Sequence, residues 1–461
     1  MPRIRHSPAK TQKIDRVRRW IYAYFLLLIF EGMLRKWGSL NFLVSSALLI
    51  VRDPVVLMIY FLAWKAGVFP KSKYMKVWAA LTVIFCFLGV LQVFFNSWLR
   101  LVVVLYGIRT YCLHVPLIFL MPRVFQREDL HRIGRWTLLI AGPMAFLMAA
   151  QFLLPPDSFI NRGTFGEGSE QIGAALGRIR PAGTFSYGTG ATSFNLLVAA
   201  FLLYSCVDRT WVSGRIRLVA AVAFVLILPI SGSRGFVLSC GILLLFAMIG
   251  GTFKPRLLWV TLQGAAFGVA IFALLSLTSV FREGLLTFST RWVEAIGTGG
   301  SFNESIVQRF FGEFIGAFNE LGTTPVLGYG LGLGSNVGSA LTSWSIGFLL
   351  GESEWERTVM EMGPVVAVLW LGARCGFGLL LYRRAWACLR RGQALPWLLL
   401  GTLGTAFFNG ITQQPTALGF LVFTTGLCLT AIKVARSPQP NAAPPRKKSI
   451  RLRRLRPAGG I

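Results

Sequence analysis

The feature that most constrains the fold of this chain is a series of long apolar blocks separated by short basic connectors. Hydrophobic residues make up 54% of the 461 residues, and they occur in runs such as 21–30, 55–63 and 395–400. A helix needs about 20 apolar residues to cross the hydrocarbon core of a bilayer. The sequence therefore predicts an all-α fold, a polytopic integral membrane helix bundle that forms a single domain.

With about 20 residues per span, the blocks predict about twelve transmembrane helices. The predicted spans lie at 20–38, 41–64, 77–96, 101–121, 136–154, 189–206, 217–231, 235–251, 257–280, 359–382, 394–411 and 416–434. They form a bundle over 20–434, between a basic N-terminus at 1–19 and a basic tail at 435–461. The Pro, Gly and Arg content of that tail favours disorder.

The positions of Lys and Arg predict the orientation of these spans. Basic residues are concentrated in both chain ends and in the connectors that alternation places on one side of the membrane. These connectors are 65–76, 122–135, 207–216, 252–256 and 383–393. Because cytoplasmic loops retain Lys and Arg, we expect both termini to be cytoplasmic.

Charge and cysteine content exclude several classes of protein. The formal charge of +29 does not predict a nucleic-acid partner, because the preference for basic cytoplasmic loops already explains it. None of the seven cysteines lies in a predicted external loop, and there are only three histidines. We therefore expect no disulfide framework, no metal site and no cofactor, and we expect the lipid bilayer as the surrounding partner.

Two long segments, 155–188 and 281–358, fall on the opposite, external side, where polar loops carry function. Over 301–321 the apolar residues recur with helical spacing and Arg309 lies on another face. This pattern predicts an amphipathic helix that rests on the membrane surface or on the bundle. The helix either only packs there or presents Arg309 to a ligand.

The segment 281–358 contains two further patterns. Closely spaced glycines at 325–334, here called the glycine-rich segment, permit positive φ angles and let backbone N–H groups converge on an anion. A flexible turn would have the same composition. An acidic cluster follows at Glu352 and Glu354, and Glu354, Arg357 and Glu361 share a helical face. The cluster is either a surface ion-pair ladder or a functional group that opens into a predicted span.

Several arginines lie where membrane topology does not explain them. Arg180 lies in the first external segment and Arg234 in a tight external turn, and arginine forks bind phosphate groups. Within the predicted spans, Arg52, Asp53 and Arg109 each cost about 2.5–3.5 kcal/mol in hydrocarbon, so we expect them to face the interior. Adjacent residues point about 100° apart on a helix, so Arg52 and Asp53 need not pair with each other.

In their order along the chain, these motifs resemble the O-antigen ligase and polymerase superfamily of bacterial cell-surface glycan assembly. The resemblance covers roughly residues 175–370. It rests on Arg180-Pro-Ala-Gly-Thr-Phe, Ser231-Gly-Ser-Arg-Gly, Arg291-Trp292 with the helix after it, Pro325-Val-Leu-Gly-Tyr-Gly-Leu-Gly, and Glu361-Met-Gly. It implies a metal-independent glycosyltransferase of polysaccharide biosynthesis in the bacterial inner membrane. The expected partners are a polyprenyl-diphosphate-linked glycan and other polysaccharide-assembly proteins.

The resemblance also implies roles for individual residues. Arginines can stabilise a departing diphosphate, and a carboxylate can deprotonate the attacking sugar hydroxyl. The expected contacts to diphosphate or glycan are Arg180, Arg234, Arg291, Arg309 and Arg357, and the expected general base is Glu352 or Glu354. Many ligases carry a histidine shortly before the Glu-x-Gly motif, and this chain lacks it. That departure favours a polymerase or another branch over a lipid A–core ligase.

The main alternative is a transporter or flippase of lipid-linked glycan. A carrier needs its charged residues at mid-membrane, as Arg52, Asp53 and Arg109 are placed, whereas an enzyme of this type needs them in the external loops. The charged residues of the two external segments favour the enzyme. A structural membrane component of a polysaccharide machine is a third interpretation.

Overall fold

The structure is a computed structural model that describes residues 8–38, 48–96, 99–164, 171–299, 302–335, 338, 353–404, 406–409 and 414–437. Over these ranges the chain is mostly helical, with an isolated β-bridge between Gly173 and Ile179 and no strand. The all-α prediction is therefore confirmed for the described part of the chain. Glu352 and the predicted disordered tail from residue 438 onward lie outside it.

The longer helices, but not a helix of 4 residues at Ala406–Asn409, are numbered here in chain order. They are α1 Pro8–Trp37, α2 Arg52–Lys65, α3 Lys73–Phe95, α4 Leu101–Val124, α5 Arg127–Leu153, α6 Gly188–Val207, α7 Gly214–Ile230, α8 Arg234–Phe253, α9 Pro255–Leu275, α10 Ser279–Gly299, α11 Phe302–Thr323, α12 Glu354–Leu389, α13 Leu395–Leu403 and α14 Pro415–Arg436. The apolar blocks of the sequence account for most of them. In the segment 155–188, which is predicted to be external, the described residues before α6 instead form turns and one short 3₁₀ turn.

Eight of the described helices are long and apolar enough to cross a membrane: α3, α4, α5, α6, α8, α9, α12 and α14. Helices α2, α7 and α13 have 14, 17 and 9 residues, fewer than the about 20 that a span needs. Helix α1 begins at Pro8, so most of the predicted N-terminal tail is the charged first part of this helix. The chain is thus a helical membrane protein, and the count of twelve spans stays a prediction.

Helix α12 bends sharply at Gly363, which has a φ of 74° and precedes Pro364. Glu354 and Arg374 lie 20 residues apart, about 30 Å along a straight helix, yet their side chains approach to 3.5 Å. A Cβ at position 363 would lie 2.0 Å from the backbone oxygen of Val326. Glycine is needed there because a larger residue would not permit either the backbone angle or the close approach.

The two larger of four apolar clusters in the described residues hold most of the bundle together. The main core includes α1, α4, α5, α6 and α14, where the rings of Phe25 and Phe423 stack 4.9 Å apart. A second core joins α3, α4, α12 and the glycine-rich segment. In it Phe85, Tyr111 and Trp370 form an aromatic cluster with ring centroids 5.4–5.7 Å apart, a favourable spacing for tilted and edge-to-face pairs.

The predicted orientation can be tested across α6 alone. Asp157 precedes this helix and Ser213 follows it, and both side chains are at least partly accessible. We expect a membrane-impermeant maleimide to label Asp157→Cys in intact cells and Ser213→Cys only after permeabilisation, because basic connectors stay cytoplasmic. The wild-type chain gives the background from its own cysteines. The reverse labelling pattern would contradict the predicted topology.

Candidate functional site

Three of the predicted arginines meet at the turn between α7 and α8. Gly232 in this turn has a φ of 55°, and its backbone oxygen accepts a 2.6 Å hydrogen bond from Nη1 of Arg291. A Cβ at Gly232 would lie 3.9 Å from Cγ of Arg180, so the two arginines lie on the same turn. Arg234 begins α8 two residues later. The structure thus brings together Arg180, Arg234 and Arg291 from three separate segments.

A cavity of about 620 Å³ opens beside this turn, and it is called the Arg180 cavity here. Hydroxyl and amide side chains line one part of it: Ser186, Thr189, Asn195, Ser231, Ser233, Ser239 and Gln414. Apolar side chains line another part: Leu238, Ile242, Leu403, Phe420 and Leu421. From Gly235 to Ile242 along α8 the cavity extends about 10 Å into the bundle. It therefore combines a cationic end, a polar wall and an apolar wall.

Helix α1 supports the wall of the Arg180 cavity from inside the bundle. Arg35 is 5% exposed and donates a 3.0 Å hydrogen bond to Oγ of Ser186. Lys36 is 2% exposed and donates a 3.1 Å hydrogen bond to the backbone oxygen of Gly183. At Gly32 a Cβ would lie 2.3 Å from the backbone nitrogen of Ser186, so glycine lets the two backbones approach. The sequence signal was a charged Glu-Gly-Met-Leu-Arg-Lys run inside an apolar block, which sequence reasoning left without a role.

Buried ion pairs join α1, α2 and α4 next to this wall. Arg52 is buried and donates from Nε to the Glu31 carboxylate. Arg109 donates two 2.7 Å hydrogen bonds to Asp53, and Nε2 of His114 lies 3.4 Å from the same carboxylate. Arg109 opens the π-helical turn Arg109–Leu113 of α4, a local widening that often accompanies functional positions. These charges face the interior of the bundle, as expected, and Arg52 and Asp53, which need not pair with each other, have different partners.

The acidic cluster reaches the Arg180 cavity through an intermediate arginine. The Glu354 side chain is buried, and its Oε1 lies 3.5 Å from Nη1 of Arg374. Nη2 of Arg374 donates a 2.7 Å hydrogen bond to the backbone oxygen of Ala406, which lines the Arg180 cavity. Glu354 is therefore held one side chain behind the cavity wall rather than in a solvated ladder.

The glycine-rich segment surrounds a carboxylate that belongs to the chain itself. Glu361 accepts hydrogen bonds from the backbone N–H groups of Gly332 at 3.2 Å and Gly334 at 2.6 Å, and from the Tyr111 hydroxyl at 2.8 Å. Side-chain carbons of Arg357 and Oε1 of Glu361 both lie against Gly334. The predicted convergence of N–H groups on an anion is thus present, with Glu361 as the anion.

Gln92 of α3 completes this arrangement, and sequence reasoning missed it. Its Nε2 donates to the backbone oxygens of Leu327 and Glu361 at 2.6 and 2.7 Å, and its Oε1 accepts from the N–H of Leu331 at 2.8 Å. One polar amide in a long apolar span was the only available signal. A buried amide that makes three hydrogen bonds fixes the position of the segment it holds.

The predicted amphipathic helix is present as α11. The ring of Phe314 contacts Trp355 at a centroid distance of 4.5 Å, Ala317 is buried, and Phe318 is exposed. One side of α11 thus packs on α12 and another apolar side is open, as a helix between a bundle and a membrane surface requires. Arg309 lies in α11, and its side chain is outside the described part of the structure.

Among the residues that the structure describes, no three His, Cys, Asp or Glu side chains come together as metal ligands. The candidate site consists of three parts: the turn between α7 and α8 with its arginines (the arginine turn), the Arg180 cavity, and the Glu354–Arg374 pair behind the cavity wall. No protein-family model matches the sequence, and no curated protein or solved structure matches it either.

Proposed function

We propose that the protein is a membrane glycosyltransferase of the O-antigen polymerase or ligase type. In this proposal it transfers glycan from a polyprenyl diphosphate carrier at the outer face of the bacterial inner membrane. The observation that carries the proposal is the convergence of Arg180 and Arg291 on the α7–α8 turn, beside a cavity with polar and apolar walls. A lipid-linked diphosphate sugar has the matching parts: an anionic group, a polar glycan and an apolar chain.

The arginine turn suits the diphosphate of such a donor. Guanidinium groups form short, charge-assisted hydrogen bonds to phosphate oxygens and stabilise charge that develops on a leaving group. Arg291 is held by its bond to Gly232, and Arg180 lines the cavity directly. Behind the wall, the buried guanidinium group of Arg35 adds positive potential on the same side, which favours an anion in the cavity.

The walls of the Arg180 cavity suit the two other parts of the donor. The hydroxyl and amide groups of Ser186, Thr189, Asn195 and Gln414 can exchange hydrogen bonds with sugar hydroxyls. The apolar groups along α8, α13 and α14 can contact the first units of a polyprenyl chain. A donor placed in this way has its anomeric carbon next to the cationic end, where the bond to phosphate breaks.

The proposed reaction is a direct displacement. The hydroxyl oxygen of the acceptor sugar attacks the anomeric carbon, the bond from that carbon to the phosphate oxygen breaks, and polyprenyl diphosphate leaves as an anion. The hydroxyl proton passes to a carboxylate, for which Glu352 and Glu354 are the candidates. Arg374 holds Glu354 behind the wall at Ala406, so Glu354 would have to leave this pair to reach the acceptor hydroxyl. Displacement in one step inverts the anomeric configuration.

A flippase is the second candidate because of the charges inside the bundle. Arg52, Asp53 and Arg109 lie within it, as a polar path through the membrane would require. In the described structure these groups form close pairs with Glu31 and with each other, and such pairs also serve to join helices. This pairing favours a supporting role for these charges beside the Arg180 cavity. It therefore favours the enzyme over the flippase.

Loss of the protein in its native host separates the two candidates. For a polymerase we expect single glycan repeats to accumulate on the lipid carrier at the outer face, because the exported unit is not extended. For a ligase we expect extended glycan to accumulate there, because it is not transferred. Mass spectrometry of the lipid-linked glycan, with and without degradation of surface-accessible sugar, measures both length and side. Single repeats trapped inside would indicate a flippase. An unchanged glycan profile would contradict both functions.

A further inference from the structure

A second cavity, of about 340 Å³, lies at the other end of the bundle and is called the Lys254 cavity here. Helix α6 connects the two sites: Thr189 near its start lines the Arg180 cavity, and Tyr204 near its end lines the Lys254 cavity. The helix has 20 residues and is about 30 Å long, the thickness of a bilayer core. The Lys254 cavity therefore lies at the end of the bundle that the basic connectors predict to be cytoplasmic.

Cationic side chains from three connectors converge on this cavity. Arg127 comes from the start of α5, Arg209 from the connector after α6, Lys254 from the connector between α8 and α9, and Arg256 from the first turn of α9. Asp208 is the one carboxylate among the lining residues, which leaves an excess of three positive charges. Basic connectors alone would leave such side chains spread in solvent, whereas here they share one concave site.

The surrounding backbone and side chains add to this positive potential. Helix α9 begins at the Lys254 cavity without a side-chain cap, and so does α13, whose N-cap residue Ala394 lines the cavity. The N-terminus of a helix carries the positive end of its dipole. Burial and the neighbouring Arg256 guanidinium lower the pKa of Lys254, so a bound anion would relieve an unfavourable concentration of charge.

We infer that the Lys254 cavity is a binding site for a phosphate group, separate from the proposed glycosyl-transfer site. Lys254 is half-buried at its base and is positioned by a 2.9 Å hydrogen bond to the backbone oxygen of Gly392. Arg209 and Arg256 are exposed at its rim and can close on an anion, and Arg127 beside them pairs with Asp208 at 3.3 Å. The phosphate can belong to an anionic phospholipid headgroup, which basic pockets between membrane helices bind, or to a free phosphate compound.

The test is a titration of the purified full-length protein in detergent, with the thermal unfolding midpoint as the readout. The probes are phosphatidylglycerol, phosphatidylcholine as the neutral lipid, and inorganic phosphate against chloride at equal ionic strength. We expect phosphatidylglycerol or inorganic phosphate to raise the midpoint, and the effective probe identifies the source of the phosphate. The Lys254→Gln, Arg256→Gln double variant should bind that probe at least about tenfold more weakly, the scale for loss of a charged hydrogen bond.

Matched substitutions keep the test decisive. Arg390→Gln, Arg391→Gln removes the same two charges from exposed positions in a nearby basic connector, and neither residue lines the cavity. This control should respond as the wild type does. If the double variant does not fold, Arg209→Gln alone should weaken binding, because Arg209 is exposed at the rim. Equal responses of the wild type and the cavity variants to every probe would overturn the inference.

Discussion

Replacement of Arg180 by alanine is expected to lower glycan transfer by about 10²–10³-fold, the scale for loss of one preorganised charge contact in a transition state. Arg180 lines the cavity at the turn that Arg291 also contacts, so its removal takes away positive charge where the diphosphate would leave. Lysine at this position should restore little, because an ammonium group cannot replace a bidentate guanidinium fork. The measurement is the rate and length of product made by membranes that contain equal amounts of each variant.

Arg178 provides the matched control for this prediction. It lies two residues earlier in the same loop, its Nη2 pairs with Glu283 at 2.6 Å, and its Nη1 donates a 2.9 Å hydrogen bond to the backbone oxygen of Leu153. Since partly exposed contacts of this kind contribute little, Arg178→Ala should leave both transfer and abundance near the wild-type level. Wild-type activity in both alanine variants would remove Arg180 from the proposed reaction. An equal loss would indicate that the loop as a whole, and not the charge at the cavity, had been disturbed.

Much of the fold follows from local sequence pattern. Apolar blocks predict the helices because their length and composition act within each segment, and α11 follows from the helical spacing over 301–321. Glycine at 363 and proline at 364 favour a break in a helix, yet the predicted span at 359–382 runs through both residues, where the structure has the bend in α12. Where blocks are short or charged, as in α2 and α1, composition alone does not decide whether a helix crosses the membrane.

The candidate site was only partly predictable, because its contacts join distant segments. The sequence predicts roles for three arginines because they lie outside the basic connectors: Arg180, Arg234 and Arg291. Whether they come together depends on how α10 packs on α7. The spacing of Glu354 and Arg357 suggested a local pair. The bend in α12 instead brings Glu354 to Arg374, and no local pattern contains that contact. The role of Arg35 is likewise visible only when the segment before α6 lies against α1.

The largest effect on stability is expected at Glu361, where replacement by alanine should destabilise the fold by about 3 kcal/mol or more. The carboxylate accepts hydrogen bonds from Gly332, Gly334 and Tyr111 in a buried site. Its removal leaves two backbone N–H groups and a hydroxyl without this acceptor, and each unsatisfied buried group costs about 1–3 kcal/mol. The loss should appear as a lower unfolding midpoint and as faster proteolysis within the glycine-rich segment.

Graded substitutions distinguish this role from catalysis. Glu361→Gln keeps the volume but must turn its NH₂ group toward Gly332 or Gly334, so it should lose about 1–3 kcal/mol, less than alanine. Tyr111→Phe removes one donor and should cost about 1 kcal/mol. Glu356→Ala, on the same helix but only partly buried, is the control and should be near neutral. The contradicting result is a Glu361→Gln variant that has no transfer activity but keeps the wild-type unfolding midpoint and protease resistance. Glu361 would then take part in the reaction, and its support of the glycine-rich segment would be secondary.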